Sequence, residues 1–141
     1  MPEIRHMLLI DSPVERVYRA VTEEEGLAGW WTVQVSAAPE VGSIADFKFG
    51  DRYRTAMKIA ALAAPRRVEW DCVEGDDEWV GTRIFFDLEE QGDQTLVRFT
   101  HGGWRDATDF FASCNYNWGY YLASLKSFCE TGEGTPFEYK A

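Results

Sequence analysis

The stretch Asp106–Gly132, DATDFFASCNYNWGYYLASLKSFCETG, decides the fold. Phe111, Cys114, Trp118, Leu122, Leu125 and Cys129 recur at intervals of three and four, so one apolar stripe runs along about twenty residues of amphipathic helix. Asp106 is the expected N-cap, Asp109 sits in the first turn where it favours the helix dipole, and Gly132 is the expected C-cap. Such a helix must bury its stripe against a large apolar surface. Upstream, the period changes to two. Segments 31–36, 43–49, 55–63, 67–73, 82–89 and 95–101 alternate, and the separators between them are short enough for hairpins. Their proposed inward faces are Phe47 and Phe49; Met57, Ile59 and Ala61; Val68, Trp70 and Cys72; Ile84, Phe86 and Leu88; Val97, Phe99 and His101.

Further upstream, residues 3–11 read as another strand, with Ile4, His6, Leu8 and Ile10 on one face. Ser12-Pro13-Val14-Glu15 reads as a capping box that opens a helix carrying Val14, Val17, Tyr18 and Val21. A second short helix is expected over 23–28. The order is strand, two helices, six strands, long helix: an α+β chain of about seven strands. The concave face of a strongly curved antiparallel sheet is the surface large enough for the last helix.

Length and composition narrow the functional classes. The 141 residues suit one domain, expected to span 1–141. Acids outnumber bases 24 to 14, a formal charge of -10, which would repel phosphate backbones and anionic lipid heads. Neither nucleic acid nor membrane is an expected partner. The longest uncharged apolar run, residues 59–65, is far short of the ~20 residues of a spanning helix, and the N-terminus lacks a signal-peptide pattern. Cys72, Cys114 and Cys129 form an odd set without CxxC spacing, so reduced thiols and a cytoplasmic location are expected.

Four stretches, IDSPVERVYRAVTEEEGLAGWW (10–31), RRVEWDCVEG (66–75), TLVRFTHGGW (95–104) and NWGYYLASLKSFCETGEGTPF (117–137), occur in an order that resembles the START-like or SRPBCC superfamily. Within it the likeness is to the activator-of-Hsp90-ATPase homologue group. The resemblance implies the helix-grip fold, also seen in the birch-pollen allergen, with a tunnel between sheet and helix. It does not imply one function, because the superfamily holds lipid carriers, hormone receptors, polyketide cyclases and co-chaperone domains. In the co-chaperone itself an additional N-terminal domain accompanies this one, so only half a match to it is expected here.

The expected tunnel lining is Trp30, Phe49, Met57, Trp70, Phe86, Phe99, His101, Asn115, Trp118 and Tyr121, mostly apolar with a few placed polar groups. Large rings among these compete to fill the space. Trp30 and Trp31, read as neighbours on a strand, would face opposite ways, so at most one lines the interior. His101 would orient a ligand or transfer a proton if Asn115 and Trp118 met it; its alternative is a core histidine satisfied by a backbone carbonyl. Trp79 and Trp104 are expected at the mouth, as an aromatic rim or a partner surface. No catalytic residue is assigned, since GxSxG, P-loop and GxGxxG patterns are missing, although His101, Asp71 and Arg54 are the groups a cyclase would use. No cofactor is expected, and no metal, because Cys72 and His101 make two ligands without a third.

Three functions follow. The first is a carrier or receptor for a small apolar or aromatic molecule. The second is a co-chaperone-like interaction module with a chaperone partner, and the third a polyketide-cyclase-like enzyme. Exposed sheet edges and an aromatic rim also suggest a homodimer.

Overall fold

The computed structural model describes residues 1–138. Its elements run β1 (Ile4–Ile10), α1 (Val14–Ala20), α2 (Glu24–Trp30), β2 (Gln34–Ser36), β3 (Ile44–Phe49), β4 (Tyr53–Ala63), β5 (Arg67–Glu74), β6 (Arg83–Gln91), β7 (Gln94–Gly102) and α3 (Asp109–Thr131). The strands form one antiparallel sheet in the order β1-β7-β6-β5-β4-β3-β2. This is a hairpin meander from β2 to β7, with β1 closing onto the last strand. The helix-grip architecture is thus as the sequence pattern and the resemblance implied.

The alternation of the strands is fulfilled on the core face. Phe47, Met57, Ile59, Val68, Trp70, Cys72, Ile84, Phe86, Leu88, Val97, Phe99 and His101 are all buried. The register slips between Ile59 and Ala61, and this bulge leaves Ala61 half-buried. Helix α3 turns Cys114, Trp118, Leu122, Leu125 and Cys129 inward and packs on β1, α1 and α2. Among the described residues no helix is long and apolar enough to cross a membrane.

Three local expectations need correction. The capping box does not form. Pro13 is the N-cap of α1 without a side-chain bond, and Ser12 is buried with its hydroxyl unpartnered. Its carbonyl instead accepts from Thr95 Oγ1 at 2.8 Å, so a tertiary bond to β7 sets the chain direction there. On α3 the cap is Thr108, not Asp106; its hydroxyl accepts from the Phe111 amide at 3.1 Å and donates to Glu78 at 2.6 Å. Gly132, at φ 89°, does close the helix. Finally, Trp31–Val33 is not strand. Trp31 caps α2 in a helical conformation, and the following residues pair with the C-terminal segment, Phe137 N–H donating to Trp31 O at 2.8 Å and Val33 N–H to Phe137 O at 3.1 Å.

Candidate functional site

The space between sheet and helix is largely filled by aromatic rings. Trp31, Trp70, Phe86, Phe99 and Trp118 form a closed ring of contacts with centroid separations of 6.0, 5.1, 5.2, 4.5 and 5.1 Å around the circuit. Trp30 stacks on Trp31 at 6.0 Å and anchors its own indole N–H on Ala20 O at 2.7 Å. Packed rings therefore occupy much of the interior where an open tunnel was expected. Trp30, Met57, Trp70, Phe86 and Phe99 belong to this packed core and do not line open space.

What remains is a pocket of about 390 Å³ at one end, within the ~300–1,000 Å³ range of small-molecule sites. Its floor is Trp31 and Trp118. One wall comes from the β3–β4 hairpin, with Phe49, Tyr53, Arg54 and Thr55; another from the β5–β6 loop, with Asp76 and Trp79. Helix α3 supplies Phe110, Ser113, Cys114, Asn117 and Tyr121, and Phe137 closes the last side, edge-on to Phe49 at 5.7 Å. Of the expected lining residues, the structure brings together Phe49, Trp118 and Tyr121 here. Burial raises the Tyr121 phenol, with Tyr120 adding to it, so its hydroxyl is a neutral donor at neutral pH.

Sequence reasoning missed several members. Phe110, Ser113 and Asn117 share a helix face with the expected Tyr121 beside the apolar stripe, a spacing visible in the sequence but overshadowed by that stripe. Trp31 was missed because the Trp30-Trp31 pair was read as strand; in a helix terminus both rings turn inward. Phe137 has no periodic signal at all.

His101 lies directly behind the floor and is fully buried. Trp118 Nε1–H donates to its Nδ1 at 3.1 Å, and an indole nitrogen has no acceptor capacity. Nδ1 is therefore unprotonated and the proton is on Nε2, which donates to Thr82 Oγ1 at 2.8 Å; the Thr82 hydroxyl in turn donates to Trp79 O at 2.5 Å. Burial pushes the imidazole down to about 3, so it is neutral at physiological pH. The satisfying partners are side chains, where a backbone carbonyl was expected. His101 meets the pocket floor through this hydrogen bond from Trp118.

The other expected residues disperse. Asn115 is exposed and its Oδ1 accepts from His6 Nε2–H at 2.9 Å, away from His101. Trp104 is 1% exposed, its indole N–H unpartnered, packed edge-on against Phe111 and beside His101; it is core, not rim. Trp79 does sit at the mouth, half-buried, stacked on Trp118 at 6.1 Å with its N–H on Cys114 Sγ at 3.4 Å. Asp71 pairs with Arg83 on the outer face of the sheet at 3.0 Å, and Arg54 with Asp46 and Glu74. The three thiols are free and buried. Among the described residues no three His, Cys, Asp or Glu side chains assemble as a metal site.

Comparison with known proteins agrees with this architecture. Residues 11–130 match the family model described as activator of Hsp90 ATPase homolog 1-like protein. The Aha1 dimer from Colwellia psychrerythraea, known from a solution structure, is 39% identical, with 95% of this chain and 100% of that one aligned at a TM-score of 0.87. A protein from Staphylococcus saprophyticus (21% identical, 95% and 96% covered, TM-score 0.78) and CalU16 from Micromonospora echinospora (19% identical, 94% and 76% covered, TM-score 0.77) share the fold. No protein of curated function matches the chain.

Proposed function

The chain belongs to the activator of Hsp90 ATPase homolog 1-like family, and from that premise we propose that it binds a small aromatic or apolar molecule in the pocket beside α3, without catalysis. One observation carries this reading. In a core packed solid with rings, an apolar space of about 390 Å³ is left at the mouth, floored by Trp31 and Trp118 and bordered by the hydrogen-bonding groups of Asn117, Ser113 and Tyr121. Apolar walls with a few convergent polar groups are the pattern of small-molecule sites. A panel of aromatic fragments tested by thermal shift should contain members that stabilise the native protein and lose that effect in Ser113→Trp, whose indole would occupy the space. A panel with no stabiliser, or one equally effective on the filled variant, would overturn the proposal.

A second reading rests on the 39% identity to a protein named Aha1 over its whole length. On it, the chain contacts an Hsp90-type chaperone and raises its ATPase rate; an unchanged rate at saturating protein would remove it. The same relative is described as a dimer. A homodimer here is supported by the outer face of α3, which carries no charge from Phe110 to Leu125 and exposes Tyr116 and Tyr120. In a chain of charge -10 this is where two copies approach with least repulsion. A cyclase-like activity gains no such support, since His101 is sealed behind Trp118. Three buried reduced thiols suit a cytoplasmic setting.

A further inference from the structure

We propose that the ligand is an organic cation, a quaternary or protonated amine carried on an apolar body; this rests on the reading of the pocket as a small-molecule site. The walls are mostly aromatic. Trp31, Trp79, Trp118, Phe49, Tyr53 and Tyr121 line the space, with Trp118 stacked on Trp31 and Trp79, and a ring face left open to the space draws a cation through its quadrupole.

The charges at the rim point the same way. Arg54 and Asp76 are the charged residues that line the pocket. Arg54 is already engaged: its Nε donates to Asp46 at 3.0 Å and its Nη2 to Glu74 at 3.2 Å. Around it stand more carboxylates than guanidiniums, because the β5–β6 loop also carries Asp77 and Glu78, while Arg105 is bound to the carbonyl of Asp77 at 2.7 Å. An anionic ligand would have to displace a carboxylate from Arg54 and then face Asp76. The negative field reaches the pocket wall: together with burial, Asp76 and Glu78 help push the Cys114 thiol up to about 11, against the bond from Trp79 that lowers it. A cation entering the mouth meets this field and then the rings behind it, where desolvation of its apolar body adds to the attraction.

The experiment titrates the full chain and follows the Trp79 indole N–H and Tyr121 by NMR. Choline is compared with its uncharged carbon isostere, 3,3-dimethyl-1-butanol, and benzyltrimethylammonium with benzoate. Each cation should bind about tenfold or more tightly than its counterpart, an advantage that shrinks between 20 and 500 mM salt. Asp76→Asn keeps an oxygen for the Glu78 amide it now caps at 2.9 Å, and should weaken the cations about three- to tenfold while leaving the neutral isostere unchanged. Equal or tighter binding of the neutral or anionic member would overturn the cation assignment and leave the pocket standing. Silence of both resonances to every probe would overturn the pocket reading itself, and the cation assignment with it.

Discussion

Lowering the pH from 8 to 5 should destabilise the protein through His101 alone by about 2 kcal/mol. In the folded state burial holds the imidazole down at about 3, so at pH 5 it is still neutral, accepting from Trp118 and donating to Thr82. In the unfolded chain it titrates near its ordinary value of 6.5. The stability is thus fully present above pH 6.5 and is lost as pH falls, because the unfolded state takes up a proton that the native state refuses. At pH 5 the unfolded histidine is about 97% protonated, and the linkage integral of about 1.4 kcal/mol per pH decade gives the 2 kcal/mol quoted. That corresponds to a drop in Tm of roughly 6–10 °C for a domain of this size. Urea unfolding at each half pH unit measures it. His101→Asn, which retains an oxygen for the Trp118 indole but cannot titrate, should be less stable at pH 8 and flatter below 6.5. Parallel pH profiles for the two proteins would refute the neutral buried imidazole, as would loss of the Trp118 indole resonance from its hydrogen-bonded position in the wild type at pH 7.

Other perturbations test the frame that holds the pocket. Gly26→Ala would bring a Cβ to 2.6 Å from Ala20 Cα, a backbone atom that cannot yield cheaply, and chemical denaturation should show a loss of about 1–3 kcal/mol. Thr108→Ala removes the α3 cap and the bond to Glu78; about 1 kcal/mol should disappear, and hydrogen exchange at Phe111 should accelerate. Leu125→Ala, at a fully buried site on the α3 stripe, should cost about 2–5 kcal/mol in the same assay. Light scattering coupled to size exclusion should give a dimer mass that Tyr116→Lys together with Tyr120→Lys converts to a monomer; a wild-type monomer at 100 µM would remove the α3 face as an interface.

The architecture was legible because it is written in two periods. Trp70, Phe86 and Phe99 alternate on strands and Trp118, Leu122 and Leu125 recur on a helix, and burial of one face enforces both patterns. The site was less legible, because inward-facing is not the same as cavity-lining. Whether Trp70 and Phe86 border a void or fill it depends on ring packing in three dimensions, and here they meet at 5.1 Å and leave nothing between them. Capping residues failed for a related reason. Ser12 and Asp106 have the right chemistry, but the turn is set by tertiary contacts of Ser12 O with Thr95 and of Thr108 with Glu78. Trp31, the centre of the pocket floor, was hidden by a helix that runs two residues past its apolar pattern.

Native mass spectrometry of the protein purified from its own cells, alongside Ser113→Trp prepared identically, tests the central claim most directly. A small-molecule adduct on the wild type that is absent from the filled variant is the result expected of a ligand held beside α3. An adduct retained equally by both proteins would place binding elsewhere and contradict the assignment of the pocket.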